Sequence, residues 1–138
     1  MIGILIVTHG TLGESLIHCA SHVLNKRPLQ LRQLGVTAQD DPALLFPAAR
    51  KLVEELNDGS GVLILSDMYG GTPSNMASKL VKPGKVEAVA GVSLPMLIRV
   101  LTYRDRDLQT IVTKAISGGC EGVMRVPVFK LHDAANGS

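Results

Sequence analysis

The stretch Ile2-Gly3-Ile4-Leu5-Ile6-Val7-Thr8-His9-Gly10 decides the fold. An uncharged, nearly all-apolar run suits a parallel strand buried on both faces better than the alternating pattern of a half-wet strand. It ends at Thr8-His9-Gly10, and the period then changes. Across residues 11–25, on a wheel of about 100° per residue, Leu12, Leu16, Cys19, Ala20 and Val23 share one face. Ile17 and Leu24 lie at its edge, and Glu14, His18, Ser21 and His22 fall opposite. The unit is a strand followed by an amphipathic helix, and within it Cys19 reads as a small core residue.

The same alternation continues outward. Residues 29–36 read as a second strand. Asp40-Asp41-Pro42 then opens a helix lined by Leu45, Ala49, Leu52, Val53 and Leu56, with Pro47 pointing to an irregular first turn. Residues 62–67 form a third strand, and Gly70-Gly71-Thr72-Pro73 leads into a helix over about 74–80. A fourth strand spans 86–92. Ser93 and Asp107 cap two further helices, the second of which stops at Gly118. Residues 123–131, interrupted by Pro127, read as an edge strand at the border of the sheet. The expected fold class is α/β: an open, doubly wound, mostly parallel sheet of order 2-1-3-4 with helices on both faces. Residues 1–131 make one domain and 132–138 a polar tail.

Composition narrows the function. A chain of 138 residues, 46% apolar, can bury a substantial core and is not disordered. No segment approaches the roughly 20 apolar residues of a membrane span. A net charge of +2 without a basic stripe, and 3% aromatic residues, argue against nucleic acid. The apolar start lacks a basic leader, and two distant cysteines make neither a disulfide framework nor a CxxC site, so a cytoplasmic location is expected.

Strand order 2-1-3-4 places the topological switch point between the first and third strands, where ligands of such sheets bind. His9 and Asp67 each lie just past one of those strand ends and are expected to meet there. A neutral imidazole is nucleophilic near pH 7, and a carboxylate on its other nitrogen fixes the tautomer and steadies the imidazolium that forms. Amides around Gly70, Gly71 and Thr72, at a helix start, suit the oxygens of a phosphoryl group, and Thr72 adds a hydroxyl. This chemistry calls for no metal and no other cofactor. His18 and His22 have metal-ligand spacing but neither HExxH nor a third ligand, and read as solvated surface. GxxxxGK[ST], GxSxG and GxGxxG are absent.

Three blocks carry a family resemblance: ILIVTHG at 4–10, LSDMYGGTPSN at 65–75 and VAGVSLPML at 89–97. Together they resemble the mannose-type IIA domain of the bacterial phosphoenolpyruvate:sugar phosphotransferase system (PTS), in order, over residues 2–126. The resemblance implies that His9 accepts a phosphoryl group on Nε2 from phospho-HPr and passes it to a histidine of a IIB protein. Asp67 would orient the ring, and Gly71 and Thr72 would hold the phosphoryl group, Thr72 standing where serine is usual. It also implies a homodimer in which the final strand crosses to the partner's sheet, peripheral at most to a membrane permease. The chain stops soon after the domain, so the acceptor would be a separate polypeptide. Ser93 stands where asparagine is common. The alternative is a PTS-linked regulatory protein whose His9 phosphorylation state controls a partner. A relay to dihydroxyacetone kinase uses a similar domain, against which the block at 70–73 favours the mannose type.

Overall fold

Strand β1 (Gly3–His9) lies inside a four-stranded, all-parallel sheet of order β2-β1-β3-β4, with β2 at Leu31–Val36, β3 at Val62–Ser66 and β4 at Val86–Ala90. The computed structural model describes residues 1–129. The position of β1 explains its composition. Ile4 and Ile6 enter one core, and Leu5 and Val7 enter the other. All four are fully buried, each contributing roughly 1.5–3 kcal/mol of transfer free energy. Helices α1 (Leu12–Leu24), α4 (Leu94–Thr102) and α5 (Leu108–Glu121) cover the first face. Helices α2 (Pro42–Leu56) and α3 (Thr72–Leu80) cover the second. The doubly wound class and the strand order are those expected from the sequence.

Capping follows the sequence closely. Asp41 accepts from the Ala43 amide at 2.9 Å, Ser93 from Met96 at 3.3 Å and Asp107 from Thr110 at 2.8 Å, each satisfying an orphan donor of a first turn. At the amino-terminal edge of the sheet the buried Arg104 guanidinium donates to the carbonyls of Ile2 (2.8 Å), Gln30 (2.9 Å) and Leu29. Those bonds offset the cost of burying its charge. Among the described residues no helix is long and apolar enough to cross a membrane.

Several expectations are corrected. Cys19 is exposed rather than in the core, and so are Leu12 and Val23. The reason is Gly13, where a Cβ would stand only 3.2 Å from Ile6 Cγ2 and from Gln33 Cβ. Without one, α1 settles closely onto the sheet along Gly13, Ile17 and Ala20, and the buried face is rotated from the arc that side-chain hydropathy marks. Pro47 does not disturb α2, which runs unbroken from Pro42 to Leu56. Nor does Gly118 end α5. A Cβ there would meet Arg99 Cβ at 3.0 Å, so this glycine is a point of close approach between α5 and α4 inside the helix, which continues to Glu121. Helix α3 begins at Thr72, two residues earlier than expected. Residues 123–129 form no strand on this sheet. Pro127 lacks a ladder donor, and Val123, Met124, Val126, Val128 and Phe129 are exposed. Residues 130 and 131 of the expected edge strand, and the tail, lie outside the described residues.

Candidate functional site

Parallel pairing brings the carboxyl ends of β1 and β3 side by side, with Val7 opposite Ser66. His9 is the last residue of β1 and Asp67 the first after β3, so their side chains meet above the sheet as the topology requires. Asp67 Oδ2 accepts from His9 Nδ1 at 2.8 Å and from the His9 backbone amide at 2.9 Å. Its other oxygen accepts from the Met68 amide at 2.9 Å. Burial alone would push this carboxyl up; the bonds from the His9 amide, the His9 ring and the Met68 amide outweigh it and hold the pKa below the ordinary aspartate value.

An ionised carboxylate only accepts, so Nδ1 carries the proton and Nε2 presents its lone pair. The His9 side chain is 52% exposed and that of Asp67 13%. The carboxylate is thus shielded while the His9 side chain is half open to solvent.

The glycine turn lies against the ring. A Cβ on Gly71 would sit 3.0 Å from His9 Cε1 and 3.4 Å from Nε2, so a side chain here would press on that edge of the ring. Gly71 is also the N-cap of α3 and makes no side-chain cap bond. In the first turn of α3, the Thr72 and Ser74 amides precede the first intrahelical donor, Asn75, which bonds to the Gly71 carbonyl at 2.9 Å. Pro73 contributes no donor. Without partners among the described residues, these amides and the positive end of the helix dipole make the start of α3 an anion-favouring edge. Gly70 has a φ of 91° and gives the turn its sharpness. Gly71 turns its bare Cα face to the ring, and Gly70 and Thr72 flank it in the chain.

His18 and His22 are exposed on α1, and Ser93 serves as the cap of α4. Among the described residues no three His, Cys, Asp or Glu side chains gather as metal ligands. Two residues not singled out from sequence stand beside the site. Met68 and Tyr69 are 58% and 88% exposed in the β3–α3 turn. Their signal was present, since two large apolar side chains inside a glycine turn have no core to enter.

The fold and the site place this chain among the open α/β proteins that hold their reactive groups at the switch point of a parallel sheet. The family described as PTS system fructose IIA component, EIIA-man, matches residues 3–116. The mannose-specific EIIAB component of Escherichia coli K12 is 31% identical over 137 residues, covering 97% of this chain and 42% of that protein. The chain therefore spans less than half the length of that curated relative. Among solved structures, phosphotransferase system component EIIA from Streptococcus agalactiae superposes with a TM-score of 0.80 at 25% identity, covering 91% of this chain and 97% of that one. The mannose/sorbose-specific IIA subunit from Enterococcus faecalis has a TM-score of 0.83 at 20% identity, covering 94% and 98%. The chain belongs to the mannose-type EIIA family of the sugar phosphotransferase system, as its three sequence blocks implied.

Proposed function

We propose that this protein is a phosphoryl carrier of the sugar phosphotransferase system, accepting a phosphoryl group from phospho-HPr on His9 Nε2 and passing it to a IIB protein. The observation that carries this reading is the His9–Asp67 pair, with Nδ1 bound at 2.8 Å and the His9 side chain 52% exposed. In the transfer, the Nε2 lone pair forms the new P–N bond while the donor's P–N bond breaks and its electron pair returns to the donor ring. The Nδ1 proton stays in place, and Asp67 balances the positive charge that develops on the imidazole. Gly71 leaves room for the phosphoryl group, and the amides of the α3 first turn face its oxygens. Exchange between two histidines is nearly isoenergetic, so placement and charge stabilisation supply most of the catalysis.

A second copy of the chain completes the assembly in this reading. Residues 123–129 expose five apolar side chains, and among the described residues no strand covers the outer side of β4. A segment from a partner would cover both, and truncation after Gly122 is expected to convert a dimer to a monomer in light scattering.

The carrier reading is tested by intact mass. The protein is incubated with phosphoenolpyruvate, enzyme I and HPr, beside His9→Ala. Gain of one acid-labile phosphoryl group by the parent alone is the expected result. No gain by a folded parent would sink the reading.

A further inference from the structure

We propose that Thr8 is a positioning residue for His9, acting through a hydrogen bond from the Gly13 amide to its hydroxyl; this rests on the carrier reading above. Thr8 is fully buried at the end of an apolar strand, an environment in which a hydroxyl needs a partner. Its Oγ1 accepts from the Gly13 amide at 2.9 Å, and that bond is itself buried. The residue in the ordinary capping position of α1, Thr11, makes no side-chain cap bond. Thr8 thus satisfies an orphan first-turn donor from inside the preceding strand.

The consequence for His9 is geometric. The Thr8–Gly13 bond closes a short loop of chain that contains His9, Gly10, Thr11 and Leu12. Within that loop Gly10 has a φ of 53°, and its amide donates to the Val36 carbonyl of β2 at 2.8 Å. The nucleophile is therefore tied on three sides: to β3 through Asp67, to β2 through Gly10 and to α1 through Thr8. Asp67 sets the rotation and tautomer of the ring, whereas the Thr8 bond sets where the chain leaving β1 turns, and so where Cα of His9 stands. The surroundings give no slack, since a Gly13 Cβ would lie 3.3 Å from Thr8 Oγ1 and 3.2 Å from Ile6 Cγ2. Removing the hydroxyl leaves the Gly13 amide buried without an acceptor and frees the turn. In-line transfer is sensitive to that, because a misplacement of about 1 Å costs on the order of 10²-fold in rate.

Thr8→Ala and Thr8→Ser form a matched pair, both lacking the γ-methyl and differing in the hydroxyl. Transfer from phosphorylated HPr to each is followed by rapid quench, with thermal melts confirming the folded fraction at the assay temperature. Thr8→Ala is expected to lower the maximal rate roughly 10- to 100-fold with the KM for the donor unchanged. Thr8→Ser is expected to transfer close to the parent rate. Equal rates for the two variants would overturn the proposal, as would a deficit in Thr8→Ala fully accounted for by its unfolded fraction. Should Thr8→Ala not fold, Thr8→Val, which keeps the side-chain volume, decides: parent-like transfer overturns the proposal and a slow, folded Val variant supports it. A parent protein that takes up no phosphoryl group on His9 is a separate result, and it removes the carrier reading itself.

Discussion

One oxygen of Asp67, Oδ2, accepts from both the backbone amide and the ring Nδ1 of His9, at 2.9 and 2.8 Å. Because the amide belongs to the strand end and Nδ1 to the ring, a single carboxylate links the position of the main chain to the orientation of the imidazole. Those two bonds, with the one from the Met68 amide to Oδ1, also hold its pKa below the ordinary aspartate value against the opposing effect of burial.

Replacing Asp67 by Asn removes the charge that balances a cationic ring, and transfer is expected to slow by roughly 10²–10⁴-fold rather than stop. The pH dependence has a definite sign. The folded-state pKa of Asp67 lies below the ordinary value of 3.8, so its contribution to stability is complete above that value and is lost as pH falls through the folded pKa. Urea denaturation at stepped pH should show this acid-side loss in the parent and a flatter curve in Asp67→Asn. Superimposable curves would mean the carboxylate gains nothing from folding.

Gly71→Ala would bring a methyl group to 3.0 Å from His9 Cε1, tighter than most natural Cβ contacts, so the ring must give by a few tenths of an ångström. Its φ is −84°, an ordinary value for alanine, so the backbone itself tolerates the change. The expected outcome is about tenfold slower phosphorylation with an unchanged melting temperature, read from single-turnover rates and calorimetry. A parent-like rate would show that the ring has room the geometry denies.

Tyr69 is 88% exposed in the turn that follows Asp67. In the carrier reading, an exposed aromatic beside His9 would help to anchor the protein donor. Tyr69→Ala is expected to raise the KM for phospho-HPr about tenfold, with stability within ~0.5 kcal/mol of the parent. A fall in kcat with KM unchanged would instead put the side chain in the transfer step.

Arg104 acts at the other end of the sheet. Arg104→Met leaves the carbonyls of Ile2 and Leu29 without the guanidinium that now donates to them. A loss of roughly 2–4 kcal/mol in urea denaturation is expected. The rate of His9 phosphorylation should stay unchanged wherever the variant is folded.

Much of this molecule was legible before any fold was known. The run ending at His9 suited a strand buried on both faces better than a half-wet one. Its repetition at residues 62–67 pointed to the class, right-handed crossovers made the order 2-1-3-4 a natural solution, and that order brings His9 to Asp67. The caps Asp41, Ser93 and Asp107 were readable because capping is local chemistry between a side chain and an amide two or three residues ahead. What went astray depended on what lies across from a residue. A hydropathy wheel has no way to know that a glycine at position 13 seats α1 closely on the sheet, which turns Leu12, Cys19 and Val23 outward. Gly118 read as a stop because isolated helices end at glycine, yet a facing helix makes it a contact.

The sequence by itself determined the four strands of the sheet, the caps Asp41, Ser93 and Asp107 and the two side chains at the switch point, because periodicity, capping and chain handedness are local or topological properties. Tertiary structure alone decided the rest. The pairing of one carboxylate oxygen with two groups of His9, the bare face of Gly71 against the ring and the buried Thr8–Gly13 bond are distances between elements, and they exist only once two cores have closed around the sheet.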